Sequence, residues 1–352
     1  MDTIAFSGGG TLGHINPALS FIHKIKQEYK NKYRIIYIAT TKDKEYEVLN
    51  NNLDIDQIYY LDAFGRSRSF IKYPLIMYHN LIAIKKIKKI LKGEKIKLLV
   101  GMGGYISGLT MFVANTLKIK TVIHEQNSVI GFANKLSAKY ASCIFTSYKD
   151  TKGIFKYKEK VIYIGNPRYD ECKIFNNNFI DKRNILITSG TLGAKVINDV
   201  VVELLNDLNL RGFTITLLTG KRYYDDVINK IKQNKHILVK AFSNNLLCDM
   251  NKAGIIISRA GSGTLFEILG LKKPAIVIPS PNVTDNHQYH NAMNFANEGL
   301  IKILEENNLN KDTLYEAICE LINNYDTYKK ALEEYKIVSP LEKFVKELIG
   351  LL

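Results

Sequence analysis

Twelve short runs of β-branched and aromatic residues, apolar nearly throughout, constrain the fold of this chain more than any other feature. In order they are TIAFSG, YRIIYIAT, QIYYLDA, IKLLVGMGG, TVIHEQ, CIFTSY and VIYIGNP, then NILITSG, TITLLTG, HILVKAF, GIIISRAG and PAIVIPS. A strand wetted on one face alternates apolar and polar residues, whereas a strand apolar on both faces must be covered on both. The helical stretches between the runs supply that cover. The expected class is α/β, with doubly wound parallel sheets. The rhythm restarts after Gly165-Asn166-Pro167, and 352 residues exceed one ordinary core. Two similar halves are expected, residues 1–164 and 165–330, hinged near Gly165 to Pro167. The remaining segment, 331–352, reads as an amphipathic helix for which packing back onto the N-terminal domain is one option that the sequence leaves open.

Glycines cluster where parallel strands should end. Gly8, Gly9, Gly10 and Gly13 follow the first run; Gly101, Gly103 and Gly104 follow IKLLV; Gly190 and Gly193 open the second half; Gly261 and Gly263 follow GIIISRA. A glycine turn into a helix offers backbone N–H groups beside the positive end of the helix dipole, which suits phosphate. Any one of these loops is equally an ordinary tight turn. Four of them, two in each half, point to phosphorylated ligands. The dinucleotide pattern GxGxxG can be laid over Gly8, Gly10 and Gly13, but it leaves the other loops unexplained, which weakens the dinucleotide alternative.

The charge balance narrows the partner class. Forty-nine Lys and Arg against 34 Asp and Glu give a formal +15, which suits nucleic acid, a phosphorylated substrate or an acidic membrane. No basic stripe interleaved with stacking aromatics appears, so nucleic acid is not expected. Cys143, Cys172, Cys248 and Cys319 are far apart, arguing against zinc knuckles and disulfides. His124-Glu125 lacks the second histidine of HExxH, and Asp54-Ile55-Asp56 reads as a solvated strand entrance. No metal site is expected. The N-terminus runs straight into a strand without signal-peptide features, and no apolar run approaches the roughly 18 residues of a membrane span.

GGGTLGHINPAL, VGMGGYISG, HEQNSVIGFANK, IGNPR, ITSGTLGAKVIND and SRAGSGTLFEILGLKKPAIVIPSP, followed by NHQYHNA, resemble in this order the MurG family of peptidoglycan glycosyltransferases. The resemblance implies the GT-B architecture: an acceptor- and membrane-binding N-terminal domain, a UDP-sugar-binding C-terminal domain and an active site in the cleft between them. It implies inverting transfer of N-acetylglucosamine from UDP-N-acetylglucosamine to the 4-hydroxyl of the muramoyl sugar of lipid I, forming lipid II without a cofactor or metal. It further implies a peripheral location on the cytoplasmic face of the bacterial cell membrane, among partner proteins of cell-wall synthesis.

Residue roles follow from the matched words. The loop Gly8 to Gly13 is expected to approach an anionic diphosphate, with His14 facing the same site from the start of the next helix. An imidazole suits a general base for the attacking hydroxyl, and Glu125 is the competing base. The resemblance implies acceptor contacts from Gly10, Thr11, Gly13, Tyr105 and Asn127, with Thr11, Gly13 and Asn127 also reaching the donor. Donor contacts are implied for Gly190, Thr191 and Leu192. Phe242 and Ser243 match the uracil-holding stretch. Ser262, Gly263 and Thr264 sit at the turn that would neutralise the departing UDP, Glu267 is assigned to the ribose, and Arg168 to the diphosphate. Gln288 and Asn291 match the stretch that contacts the donor sugar. Leu192 and His287 depart from the glutamines common in the family, which bears on fine donor contacts.

After Pro74 the chain reads PLIMYHNLIAIKKIKKILKGEKIK. At about 100° per residue, Met77, Leu81, Ile84, Ile87 and Leu91 share one stripe, the expected core face. Leu75, Tyr78 and Ile82, continued by Lys85, Lys86 and Lys89, form a second face suited to an anionic membrane surface. Packing against another helix or subunit is the alternative for that face. The competing functional reading is another GT-B enzyme, a soluble glycosyltransferase or a nucleotide-sugar epimerase, which would not need lipid.

Overall fold

The computed structural model describes residues 1–65, 73–151, 153, 155–175, 181–190 and 193–352. Two units build it: Met1–Pro167 with Val338–Leu352, and Arg168–Ile337. The first holds a seven-stranded parallel sheet of β1 (Asp2–Gly8), β2 (Tyr33–Thr40), β3 (Gln57–Leu61), β4 (Ile96–Gly103), β5 (Lys120–Glu125), β6 (Cys143–Thr146) and β7 (Val161–Tyr163). Its order is β3-β2-β1-β4-β5-β6-β7. The second unit holds β8 (Asn184–Thr188), β9 (Thr214–Leu218), β10 (Ile237–Lys240), β11 (Ile255–Ser258), β12 (Ala275–Val277) and the two-residue β13 (Lys302–Ile303). These are ordered β10-β9-β8-β11-β12-β13, again all parallel. All twelve apolar runs are strands. β13 escaped the sequence reading because two half-buried residues carry no periodicity.

Apolarity on both faces of the strands has the expected cause. In β1, Ile4 and Phe6 join one core with Phe21 and Ile22 of α1 (Leu12–Tyr29), while Ala5 faces a second core with Ile36, Leu99 and Ile123. In both sheets the strand order reverses between the first strand and the fourth, β1 beside β4 and β8 beside β11. At such a reversal the two following connections leave on opposite faces and open a crevice at the carboxyl ends, where α/β sheets bind ligands. The four glycine loops lie at these two points.

The fold departs from expectation along α2 (Tyr73–Gly93). Ala83, Ile87 and Leu91 are buried, but Met77 and Leu81, read as core, are 62% and 57% exposed. The reason is length. Twenty-one helical residues span about 31 Å, against roughly 17–26 Å for strands of five to eight residues. The first turns overhang the sheet, so Leu75, Met77, Tyr78 and Leu81 are all exposed. Residues 66–72, just before α2, lie outside the described set.

The C-terminal helix, Pro340–Ile349, belongs to the first unit. Ser339 caps it, and Phe344 stacks on Phe21 of α1 at 3.6 Å between ring centroids. Asp54 and Asp56, read as a solvated strand entrance, do lie at the surface, where they carry ion pairs. Asp54 meets His23 at 2.7 Å, and Asp56 accepts from Lys26 Nζ and the Ile35 amide at 2.7 and 2.6 Å.

Candidate active site

At the first reversal β1 ends at Gly8 and α1 starts at Leu12, with Thr11 as its N-cap; β4 ends at Gly103, and α3 (Gly104–Thr116) begins at once. The two loops touch. A β-carbon on Gly104, whose φ is +82°, would stand 2.6 Å from the Gly9 carbonyl oxygen. His14 Nδ1 lies 3.1 Å from that oxygen and 3.3 Å from Thr11 Oγ1, and its Nε2 lies above Gly103. A carbonyl oxygen only accepts, so Nδ1 carries the hydrogen and Nε2 is the basic nitrogen. Beneath the loop sits Asp43, fully buried, whose Oδ1 accepts from the Gly10 amide at 2.7 Å. That amide therefore points at a carboxylate.

Glu125 ends β5, beside β4, and is 3% exposed. Its Oε1 accepts from the Asn127 amide at 3.0 Å, and its Oε2 accepts from the Gly131 amide and Asn134 Nδ2, each at 2.9 Å. Burial pushes its carboxyl above the ordinary value, and these hydrogen bonds pull the other way. The carboxylate thus pins the loop 126–131. Tyr105, 47% exposed, stands at the start of α3 with its ring against Gly65. Strand order thereby gathers Gly10, Thr11, Gly13, His14, Tyr105, Glu125 and Asn127 at one end of one sheet.

His124, one residue before Glu125, points into the core, edge-on to Phe21 at 5.1 Å and 3.3 Å from Ser147 Oγ. Burial lowers its pKa from 6.5 to about 3. The unfolded chain therefore takes up a proton that the folded unit refuses. Stability from this group is intact above pH 6.5 and is lost as pH falls toward 3. By pH 5 the loss should be about 2 kcal/mol. Urea unfolding of the first unit at pH 7.5 and 5 should show this sensitivity in the wild type and its disappearance in His124→Gln; an equally acid-sensitive variant would refute the assignment.

In the second unit Gly190 follows β8, and Ser262, Gly263 and Thr264 open α4 (Ser262–Leu271) after β11, with no side chain capping the helix. Thr191 and Leu192 lie outside the described residues. Glu267, one turn into α4, is buried, and its Oε1 accepts from Arg168 Nε at 2.7 Å and from a second guanidinium nitrogen. Arg168 also pairs with Glu171. Its guanidinium is thus held between two carboxylates. Phe242 is 46% exposed with Lys221 Nζ 4.7 Å from its ring centroid, and Ser243 donates to Asp249 at 2.6 Å. Gln288 Oε1 accepts from the Ser280 amide at 2.9 Å, His287 Nδ1 sits 2.8 Å from Thr284 O, and Asn291 is buried on the same helix.

Two residues that the sequence reading passed over shape the first loops: Asp43 and Asn134. Asp43 sits in TTKDKE, which looks like a solvated turn. The signal available was Thr40-x-x-Asp43, a capping-box spacing, and both of its hydrogen bonds form. Among the described residues no group of three or more His, Cys, Asp or Glu is arranged to hold a metal ion.

Two doubly wound parallel sheets, each with glycine loops at its reversal point, define a protein of the two-Rossmann-domain class. Residues 4–146 match the glycosyltransferase family 28 N-terminal domain and residues 184–348 its C-terminal domain. The chain is 33% identical over 362 aligned positions, covering 98% of it and 99% of the relative, to the UDP-N-acetylglucosamine--N-acetylmuramyl-(pentapeptide) pyrophosphoryl-undecaprenol N-acetylglucosamine transferase of Halalkalibacterium halodurans. It is 32% identical to the Bacillus subtilis enzyme of that name, with 95% and 94% covered. The chain belongs to this transferase family, the MurG family. Its fold is shared with the crystal structure of Acinetobacter baumannii MurG (TM-score 0.78, 22% identity, 99% of each chain). A putative UDP-N-acetylglucosamine 2-epimerase from Listeria monocytogenes shares it as well, at 12% identity (TM-score 0.72, 99% of this chain and 95% of the other).

Proposed function

We propose that this chain transfers N-acetylglucosamine from UDP-N-acetylglucosamine to the 4-hydroxyl of the muramoyl sugar of lipid I, with inversion, forming lipid II. The observation that carries this reading is 33% identity to a transferase of that name across 98% of the chain. Identity to the epimerase of the same fold is 12%. In this reading His14 Nε2 takes the proton of the 4-hydroxyl, and that oxygen attacks C1 of the donor sugar. The bond from C1 to the UDP oxygen breaks, and its electron pair stays on the diphosphate. Glu125 holds the acceptor-side loop in shape, with Tyr105 and Asn127 beside it. Ser262, Gly263 and Thr264 neutralise the leaving diphosphate through backbone and hydroxyl donors. Glu267 offers its second oxygen to the ribose while Arg168 fixes the first, a positioning role in place of direct contact with the diphosphate. Phe242 and Ser243 take the uracil, and Gln288 and Asn291 the donor sugar. Gly190 completes the donor side.

The test is transfer of labelled N-acetylglucosamine to a lipid I analogue in detergent with EDTA present. Product formation supports the reading. Folded protein that binds UDP and epimerises the donor without transfer would replace it with the nucleotide-sugar alternative.

The acceptor is a membrane lipid, and among the described residues no helix is long and apolar enough to cross a membrane. We propose peripheral binding at the cytoplasmic face through the overhanging turns of α2. Leu75, Met77, Tyr78 and Leu81 would enter the interface, with Lys85, Lys86 and Lys89, all exposed, meeting anionic headgroups. Exposed Tyr105, Phe112, Phe132, Leu136 and Tyr140 line a groove of about 360 Å³ that also includes Asn80 of α2, extending the apolar surface. Co-sedimentation with vesicles containing phosphatidylglycerol should weaken with salt. Reversing the three lysines to glutamate should cost at least about 3 kcal/mol, roughly 1 per lysine. Binding unchanged by Leu75→Asp with Tyr78→Asp would remove α2 from the interface.

A further inference from the structure

We propose that Asp43 tunes His14 through the peptide group joining Gly9 to Gly10, forming a carboxylate–peptide–imidazole relay. The inference rests on the reading of His14 as the base. Asp43 is fully buried and both of its oxygens accept: Oδ1 from the Gly10 amide at 2.7 Å, Oδ2 from the Thr40 amide at 2.8 Å and Thr40 Oγ1 at 2.6 Å. The amide on Oδ1 and the carbonyl that meets His14 Nδ1 at 3.1 Å are the two ends of one peptide unit. That unit is conjugated, so an anion on its N–H moves electron density onto its oxygen and makes it a stronger acceptor. A stronger acceptor at Nδ1–H fixes the tautomer and stabilises the imidazolium, which raises the basicity of Nε2. The Ser-His-Asp triad places a carboxylate directly on the imidazole; here one peptide stands between them.

The close approach is built into the chain. A β-carbon on Gly9 would fall 2.1 Å from Asp43 Oδ2, so only glycine lets the carboxylate lie under this peptide. Of the other titratable groups nearby, the phenols and the buried imidazole stay neutral across the working range. Tyr37, Tyr46 and Tyr60 face Asp43 with phenols pushed up by burial, and His124, toward His14, stays unprotonated down to about pH 3. Lys42, Lys44 and Glu45 flank Asp43 in sequence and are exposed.

Asp43 is a positioning residue in this scheme, and its test reads the imidazole itself. In protein labelled with ¹⁵N-histidine, the resonance lost in His14→Gln identifies His14. The wild type should show the Nδ1–H tautomer. Asp43→Asn should lower the His14 pKa by about one unit, because the imidazolium loses its anion. The acid limb of kcat/KM should move to lower pH by the same amount, and kcat should fall about tenfold. A folded Asp43→Asn protein with unchanged tautomer and pKa overturns the relay. An Nε2–H tautomer in the wild type overturns it without any variant, which covers an Asp43→Asn chain that does not fold. Should transfer and its acid limb survive His14→Gln while the imidazole still answers to Asp43, the reading of His14 as base fails and the coupling stands, so the two failures are separable.

Discussion

Replacing His14 by glutamine should lower kcat for transfer about 10²- to 10⁴-fold while leaving UDP affinity unchanged. Glutamine can still donate to the Gly9 carbonyl from the imidazole's place, so the loop keeps its shape while the basic nitrogen is gone. The residues proposed to hold uracil, ribose and diphosphate lie in the second unit, which folds around its own core. Isothermal titration with UDP beside single-turnover transfer would separate the two effects. Glu125→Gln should behave differently. Three donors converge on that carboxylate, and an amide leaves at least one without its acceptor, costing about 1–3 kcal/mol of stability. The acid limb of the transfer profile should stay in place. If His14→Gln retained that limb and Glu125→Gln abolished it, the roles would be exchanged.

Glu267→Ala should be the most damaging change in the second unit. It removes the proposed ribose ligand and leaves the Arg168 guanidinium, itself largely buried, still paired with Glu171. Because Glu171 still pairs with the guanidinium, the cost should be that of the lost hydrogen bonds between charged groups, about 1.5–3 kcal/mol, and not that of an uncompensated buried charge. The thermal transition of this unit should fall accordingly, and the donor KM should rise about tenfold or more from the lost hydrogen bonds to a charged group. Arg168→Ala should raise the donor KM as well, by letting Glu267 turn. A double-mutant cycle decides between the two roles of Arg168. Strong non-additivity in KM is expected if Arg168 acts through Glu267. Additive effects would return Arg168 to the diphosphate.

The strands were legible because burial on both faces leaves a continuous apolar run that survives in one dimension. The glycine loops were legible because a tight turn from strand to helix restricts residue type locally. Glu125 could be singled out in HEQN, but not its partners, because Gly131 and Asn134 return to it through a loop. Asp43 was hidden for the opposite reason. Its neighbours Lys42, Lys44 and Glu45 are exposed, so composition described the turn and not the one side chain folded under β1. On α2 the period was right and the burial wrong, because helical phase says which residues share a face but not how far the sheet extends beneath it.

By itself the sequence determined the α/β class, the two halves, the positions of twelve strands and the loops at their ends, since each depends on residues adjacent in the chain. Strand order belongs to the tertiary structure, and with it the reversal between β1 and β4 that sets His14 above Gly103 and that between β8 and β11 in the second unit. So do the seating of Phe344 on Phe21 across more than three hundred residues, and the buried contacts Asp43–Gly10 and Arg168–Glu267. These are pairings between distant segments, chosen by packing and by the need of each buried charge for a partner. Neither requirement leaves a periodic mark on the chain.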